Sequence, residues 1–140
     1  MQLTNVMDAV ELTRQMIDIP SVSGDEGPLA DGVEEALRSA GFGSVPALEI
    51  LRDGDAVCAR TRLGLTQRVV LAGHLDTVPI ADNVPGRFEE RDGVTVLWGR
   101  GSVDMLGGCA AALALACEAG VAIREGYDAT LNADVTWIFY

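Results

Sequence analysis

The sequence predicts an α/β layered domain, and three of its features carry that expectation. Apolar residues recurring at helical spacing alternate along the chain with short runs of strand-forming residues. One such run, "RVVLAG" at residues 68–73, is almost continuously apolar, as expected of a strand covered on both faces of a sheet. A long Ala- and Leu-rich stretch follows a glycine-dense segment, which reads as a strand-to-helix junction leading into a buried helix. At 140 residues the chain has about the length of one domain, enough for a real core, and it shows no internal repeat or linker.

The elements follow in order. Val6, Val10, Thr13 and Ile17 recur at helical spacing, so residues 4–18 are expected to form an amphipathic helix. The breakers of "PSVSGDEGP" mark a loop. Leu29, Val33, Ala36, Leu37 and Ala40 make a second apolar stripe, with Gly41 as its C-terminal cap. "ALEILR" and "AVCART", joined around "DGD", read as a hairpin. "RVVLAG" is the next strand, and "ERDGVTVLWG" is a strand entered through an Asp-Gly turn. Val103 to Ala119 is expected to be a buried helix, with Gly120 beyond it. "DVTWIFY" has strand propensity and reaches Tyr140 without a turn or cap, so the chain is expected to be cut within its fold, with a terminal strand tucked into the sheet as the plain alternative.

Composition excludes several classes of function. Net charge is −11, from 21 acids against 10 bases, and every base is arginine. Such a surface repels a polyanion and no basic patch offsets it, so no nucleic-acid partner is expected. No run reaches the roughly 18 apolar residues of a bilayer span. "MQLTNVMDAVE" lacks the basic and apolar regions of a signal peptide, so the chain is expected to be cytoplasmic with no membrane partner. Cys58, Cys109 and Cys117 are odd in number and lack CxxC spacing, which reads as reduced thiols.

Two stretches carry candidate chemistry. "LAGHLDTVP" holds His74, the only histidine, at the C-terminal end of a predicted strand, with Asp76 on the same face two residues on. Ligand sites of open α/β sheets gather at that end of the strands, and a carboxylate beside a metal-binding imidazole fixes its tautomer. A structural or surface histidine is the plain alternative. In "GRGSVDMLGG", four glycines surround Asp104. A carboxylate held there could bridge two metal ions, or simply cap the helix. A phosphate cradle lacks the GxGxxG or GK[ST] pattern. Ser102 or Cys109 as a nucleophile, with His74 as base, lacks a nucleophile elbow.

Together, "GHLDTVP" and "GRGSVDMLGG", with His74 and Asp104 thirty positions apart, resemble the catalytic domain of the M20 family of zinc-dependent amidohydrolases and exopeptidases. Within that family "DTVPIADNVP" is most similar to the succinyl-diaminopimelate desuccinylases, with acetylornithine deacetylases and carboxypeptidases as related alternatives. The resemblance implies a three-layer α/β/α zinc-exopeptidase-like fold, truncated. Residues 1–140 would be the N-terminal portion of the catalytic domain, with the lid domain and the C-terminal part of the catalytic domain absent. It also implies His74 as ligand of one zinc, Asp104 as the carboxylate bridging two, and Asp76 as the catalytic residue that orients His74. Zn2+ would be the cofactor, with Co2+ as substitute, and the peptide joining Asp104 to Met105 would be cis. Leu106 stands where the family usually has lysine.

The same resemblance sets what the segment lacks. The glutamate general base belongs to a Glu-Glu pair expected just beyond Tyr140, and the remaining ligands lie further on. With one or two ligands against the roughly three of catalytic zinc, this segment alone is expected to be inactive. Glu89, Glu90, Glu118 and Asp134 read as acids on solvated faces. The implied substrate is a small N-acyl amino acid, and the implied full-length assembly is a homodimer. The rival reading is a non-catalytic module that acts only by pairing with another chain, since an unpaired sheet edge favours association.

Overall fold

The computed structural model describes residues 2–41, 47–127 and 131–140. Helix α1, Ala9–Ile17, starts later than the spacing predicts. Asp8 is its N-cap, its carboxylate accepting from the backbone N–H groups of Val10 and Glu11 at 3.0 and 3.1 Å. Asn5 ahead of it has φ 51°, and the Asp8 N–H donates to the Asn5 carbonyl at 2.8 Å, so residues 5–8 form a turn instead. The buried face is Leu12, Thr13, Met16 and Ile17, while Val10 is exposed. Helix α2, Gly27–Gly41, has Pro28 in its first turn, where the missing N–H costs nothing. All five residues of its predicted stripe are buried. The helix includes Gly41, and the residues that would complete a cap lie outside those described.

Strands β1, Glu49–Asp53, and β2, Ala56–Arg60, form the expected antiparallel hairpin. Strand β3, Arg68–Gly73, runs parallel to β6, Asp134–Phe139, which also pairs antiparallel with β2. The mixed sheet therefore has the order β1-β2-β6-β3. Val57 and Ala59 of β2 register with Phe139 and Trp137, and all four are buried beneath α2 and α3. The expectation for β3 is corrected. It is an edge strand among the described residues, and Val69, Val70 and Leu71 are exposed. The described residues supply the sheet and a helical layer over one face.

Strands β4, Arg87–Arg91, and β5, Val94–Trp98, form a separate hairpin; β5 is the strand expected after the Asp-Gly turn, and β4 ahead of that turn was not anticipated. Asp92 and Gly93 both have positive φ, the geometry of the tight turn that matches strand twist. Residues Ser102–Leu106 make an irregular turn, with Asp104 and Met105 outside helical angles, before helix α3, Gly107–Arg124. The predicted start at Val103 and stop before Gly120 are both corrected. Gly120 lies inside the helix, where a Cβ would stand 3.1 Å from Leu48 Cδ1: it is a contact point, not a terminator. By length and composition Ser102–Arg124 is apolar enough to cross a bilayer, which corrects the reading that no segment is. In this fold it is the core helix, packed against α1 and α2.

Asp134 is not on a solvated face. It is 3% exposed. It accepts from the Thr61 hydroxyl at 2.5 Å and from the N–H groups of Leu63 and Leu65 at 2.8 and 3.0 Å. These bonds hold the loop that carries the chain from β2 to β3. The Thr61 hydroxyl first, then the Leu63 and Leu65 N–H groups with Arg68 beyond, hold its pKa down to about 2. A carboxylate with a depressed folded pKa adds stability that is whole above its unfolded pKa of about 4 and lost as pH falls through the folded value. Urea midpoints of the wild type are therefore expected to drop between about pH 4 and pH 2. Asp134→Asn is expected to be less stable at neutral pH and flatter across that window.

Candidate active site

The parallel pairing of β3 with β6 delivers His74. The ladder continues past Gly73, with the Tyr140 N–H donating to the Gly73 carbonyl at 3.1 Å and the Leu75 N–H to the Tyr140 carbonyl. The chain beyond is clamped to the loop after α1. The Thr77 N–H donates to the Ser21 carbonyl at 2.8 Å, the Ser23 N–H to the Thr77 carbonyl at 3.0 Å, and the Ser21 hydroxyl to the Leu75 carbonyl at 2.9 Å. Asp104 arrives from the other side, on the irregular turn ahead of α3. Its peptide bond to Met105 is cis.

These elements bring the three candidate residues together. His74 Nδ1 lies 3.0 Å from the Asp76 carbonyl oxygen and 3.1 Å from Asp76 Oδ1. His74 Nε2 lies 3.0 Å from Asp104 Oδ1. Both partners of Nδ1 are acceptors, so that nitrogen is assigned the hydrogen. Nε2 of the neutral ring then presents a lone pair to a carboxylate oxygen. Two acceptors at that separation call for a cation between them, either a proton or a metal ion. Burial opposes the charged ring. The bond to the Asp76 carbonyl, the bond to Asp104 and the charges of both carboxylates outweigh it and raise the His74 pKa.

The surroundings bear on the alternatives. Asp104 makes no capping bond to α3 and is 87% exposed, on the wall of a cleft of about 630 Å³. The Cys109 thiol donates to the His74 carbonyl oxygen at 3.2 Å rather than facing the ring, and burial pushes its pKa up to about 11. That is the setting of an inert thiol. Burial likewise pushes Cys117 up to about 12. Ser102 lines the cleft without a bond to His74. Glu89 is held by Arg87 and Arg91, Glu90 accepts from Thr95, and Glu118 is exposed. Among the described residues no group of three potential ligands gathers.

Ser23 was not singled out in the sequence, yet its hydroxyl donates to Asp76 Oδ2. It therefore fixes the carboxylate that fixes the imidazole. Nothing in "PSVSGDEGP" distinguishes it from any other polar loop residue. Its role comes only from the isolated pairing of Val22 with Thr77.

Residues 70–130 match the sequence model of peptidase family M20/M25/M40. The chain is 44% identical over 126 residues to the succinyl-diaminopimelate desuccinylase of Corynebacterium glutamicum, covering 90% of this chain and 32% of that protein. It is 45% identical over 133 residues to a putative succinyl-diaminopimelate desuccinylase of Mycobacterium tuberculosis, covering 95% of this chain and 33% of that protein. The chain thus spans about a third of the length of these curated relatives. Among solved structures, human carnosine dipeptidase 1 aligns with a TM-score of 0.64 at 19% identity, over 94% of this chain and 31% of that one. An M20 metallo-carboxypeptidase of Sulfolobus solfataricus aligns with a TM-score of 0.61 at 17% identity, over 94% of this chain and 30% of that one. Both likenesses are of fold.

Proposed function

We propose that this chain, whose residues 70–130 match peptidase family M20/M25/M40, is the N-terminal part of the catalytic domain of a dinuclear zinc amidohydrolase of that family. The reaction is hydrolysis of N-succinyl-LL-2,6-diaminopimelate to succinate and LL-2,6-diaminopimelate. The substrate follows the names of the relatives at 44% and 45% identity. The observation that carries the metal is the facing pair of acceptors, His74 Nε2 and Asp104 Oδ1. An imidazole nitrogen with its tautomer set and a carboxylate oxygen suit zinc in kind. His74 and Asp104 would be this chain's ligands to the zinc ions. When bound, zinc supplies a Lewis acid for the scissile carbonyl and lowers the pKa of the attacking water.

The residues of this chain set the stage for that chemistry. Asp76 accepts the Nδ1 hydrogen and keeps Nε2 free for the ion, with Ser23 holding Asp76. The general base is assigned to a glutamate outside these 140 residues, as are the remaining ligands and the lid domain. The homodimer and the cytoplasmic location belong to the same reading.

The test is turnover by the protein expressed from its complete reading frame and loaded with zinc. Release of succinate from N-succinyl-LL-2,6-diaminopimelate, well above release of acetate from N-acetylornithine, is the expected result. The reverse preference would move the chain to another branch of the family, and no turnover with stoichiometric zinc would overturn the reading. Asp76→Asn keeps an acceptor near Nδ1 but removes the charge. It is expected to lower kcat/KM about 10- to 100-fold, in line with losses at other residues that orient metal ligands. Unchanged kcat/KM would remove Asp76 from the site.

A further inference from the structure

Arg100 stands apart from every other base in the chain. Arg14, Arg38, Arg52, Arg60, Arg62, Arg68, Arg87, Arg91 and Arg124 each lie within 4.0 Å of a carboxylate oxygen. Among the described residues the Arg100 side chain makes neither an ion pair nor a hydrogen bond, and its Nε is buried without an acceptor. Scarcity of acid is not the reason, since the chain holds 21 acidic residues to its 10 arginines. A buried donor left unmade costs free energy, and a guanidinium costs more than a neutral group.

The position of Arg100 says what would satisfy it. The residue follows Gly99 on the turn that carries Asp104, and its N–H donates to the Asn83 carbonyl at 2.8 Å, which fixes its backbone. It lines the same cleft as His74 and Asp104, and it also borders an apolar hollow beside Ile17, Ile80 and Leu106. Among the described residues it is the only arginine on that cleft. A guanidinium is a planar fork that matches a carboxylate through two parallel bonds.

We propose that Arg100 is the anion anchor of the cleft and binds a carboxylate of the substrate. The proposal rests on the hydrolase reading and deepens it by assigning the side chain that holds one of the substrate's carboxylates. Arg100 is a binding residue here, separate from the metal ligands.

The experiment uses the protein from its complete reading frame, as wild type, Arg100→Gln and Arg100→Lys. Metal-free protein is titrated by calorimetry with sodium succinate, with LL-2,6-diaminopimelate and with neutral succinamide. Wild type is expected to bind at least one of the two carboxylates and not succinamide, and the one bound identifies the end of the substrate that is held. Arg100→Gln is expected to weaken that binding about 10- to 100-fold, the loss typical of a charge-assisted bond, with Arg100→Lys recovering part of it. In turnover, KM is expected to rise by the same factor while kcat changes less than about threefold.

Equal binding of both carboxylates by wild type and Arg100→Gln would overturn the proposal. So would a drop in melting temperature of Arg100→Gln with binding intact, because Arg100 would then be serving a carboxylate elsewhere in the protein. Absence of any carboxylate binding by wild type would overturn it too. If wild type binds a carboxylate through Arg100 but hydrolyses no amide, the anchor stands and the hydrolase reading falls.

Discussion

His74→Ala, made in the protein expressed from its complete reading frame, is expected to lower kcat/KM by about 10³-fold or more, with zinc content per chain falling alongside it. A metal acting as Lewis acid supplies several kcal/mol of transition-state stabilisation, and each 1.36 kcal/mol is about a factor of ten. His74 is the only histidine among these residues, so no neighbour in the segment replaces its Nε2. Asp104→Asn is expected to match that loss for a different reason. The amide keeps the size of the carboxylate but offers one neutral acceptor oxygen where two charged ones stood. Fold is not at stake in either change, because His74 is only half-buried and Asp104 is 87% exposed. Melting temperatures within a few degrees of wild type serve as the control. Turnover within tenfold of wild type in both variants would show that neither residue holds the reacting metal.

Much of that site was legible in the sequence, and the reason is geometric. A strand end followed by HxD places two side chains on one face, and a glycine-dense turn ahead of a helix delivers a carboxylate to the same end of the sheet. Both stretches are local, so local rules reach them. Their meeting at 3.0 Å is non-local and rested on the family resemblance. What the sequence hid has the same origin. "RVVLAG" has the composition of an interior strand, but its place in the sheet depends on β6, more than sixty positions later, which pairs with it on one side only. Asp134 looks like any exposed acid until the loop from Thr61 to Leu65 folds over it. Ser23 and Arg100 give no signal at all, because the role of each depends on what lies across the cleft wall. Asp8 did carry a signal: an aspartate ahead of "AVELT" is a strong N-cap, and it outweighs the apolar stripe that extends the predicted helix back to residue 4.

Gly101→Ala is expected to be the most damaging change outside His74 and Asp104, and it separates two effects that glycine substitutions usually mix. Gly101 has φ +77°, and a Cβ there would stand 2.7 Å from Thr77 Cγ2 and 3.0 Å from Leu106 Cδ1. The left-handed backbone costs about 1–2 kcal/mol for a residue with a Cβ, and overpacking adds about 1–3 kcal/mol. A total loss of about 2–5 kcal/mol is therefore expected, read as a lower urea midpoint at constant m-value. Gly64 is the matched control. Its φ is +75°, but nothing lies within 4 Å of the position of its Cβ, so Gly64→Ala carries the backbone cost alone. The contact also has a direction. Thr77 is buried and tied to Ser21, and the segment that joins it to β3 carries His74 and Asp76, whereas Gly101 is on the turn that carries Asp104. A methyl group wedged between them pushes the two halves of the site apart. Misplacement of about 1 Å can cost on the order of 100-fold in rate. Gly101→Ala is thus expected to lose about that much kcat/KM well below its melting temperature, while Gly64→Ala keeps wild-type activity. Equal activity in the two alanine variants would mean that the Thr77 contact does not set the separation of His74 and Asp104.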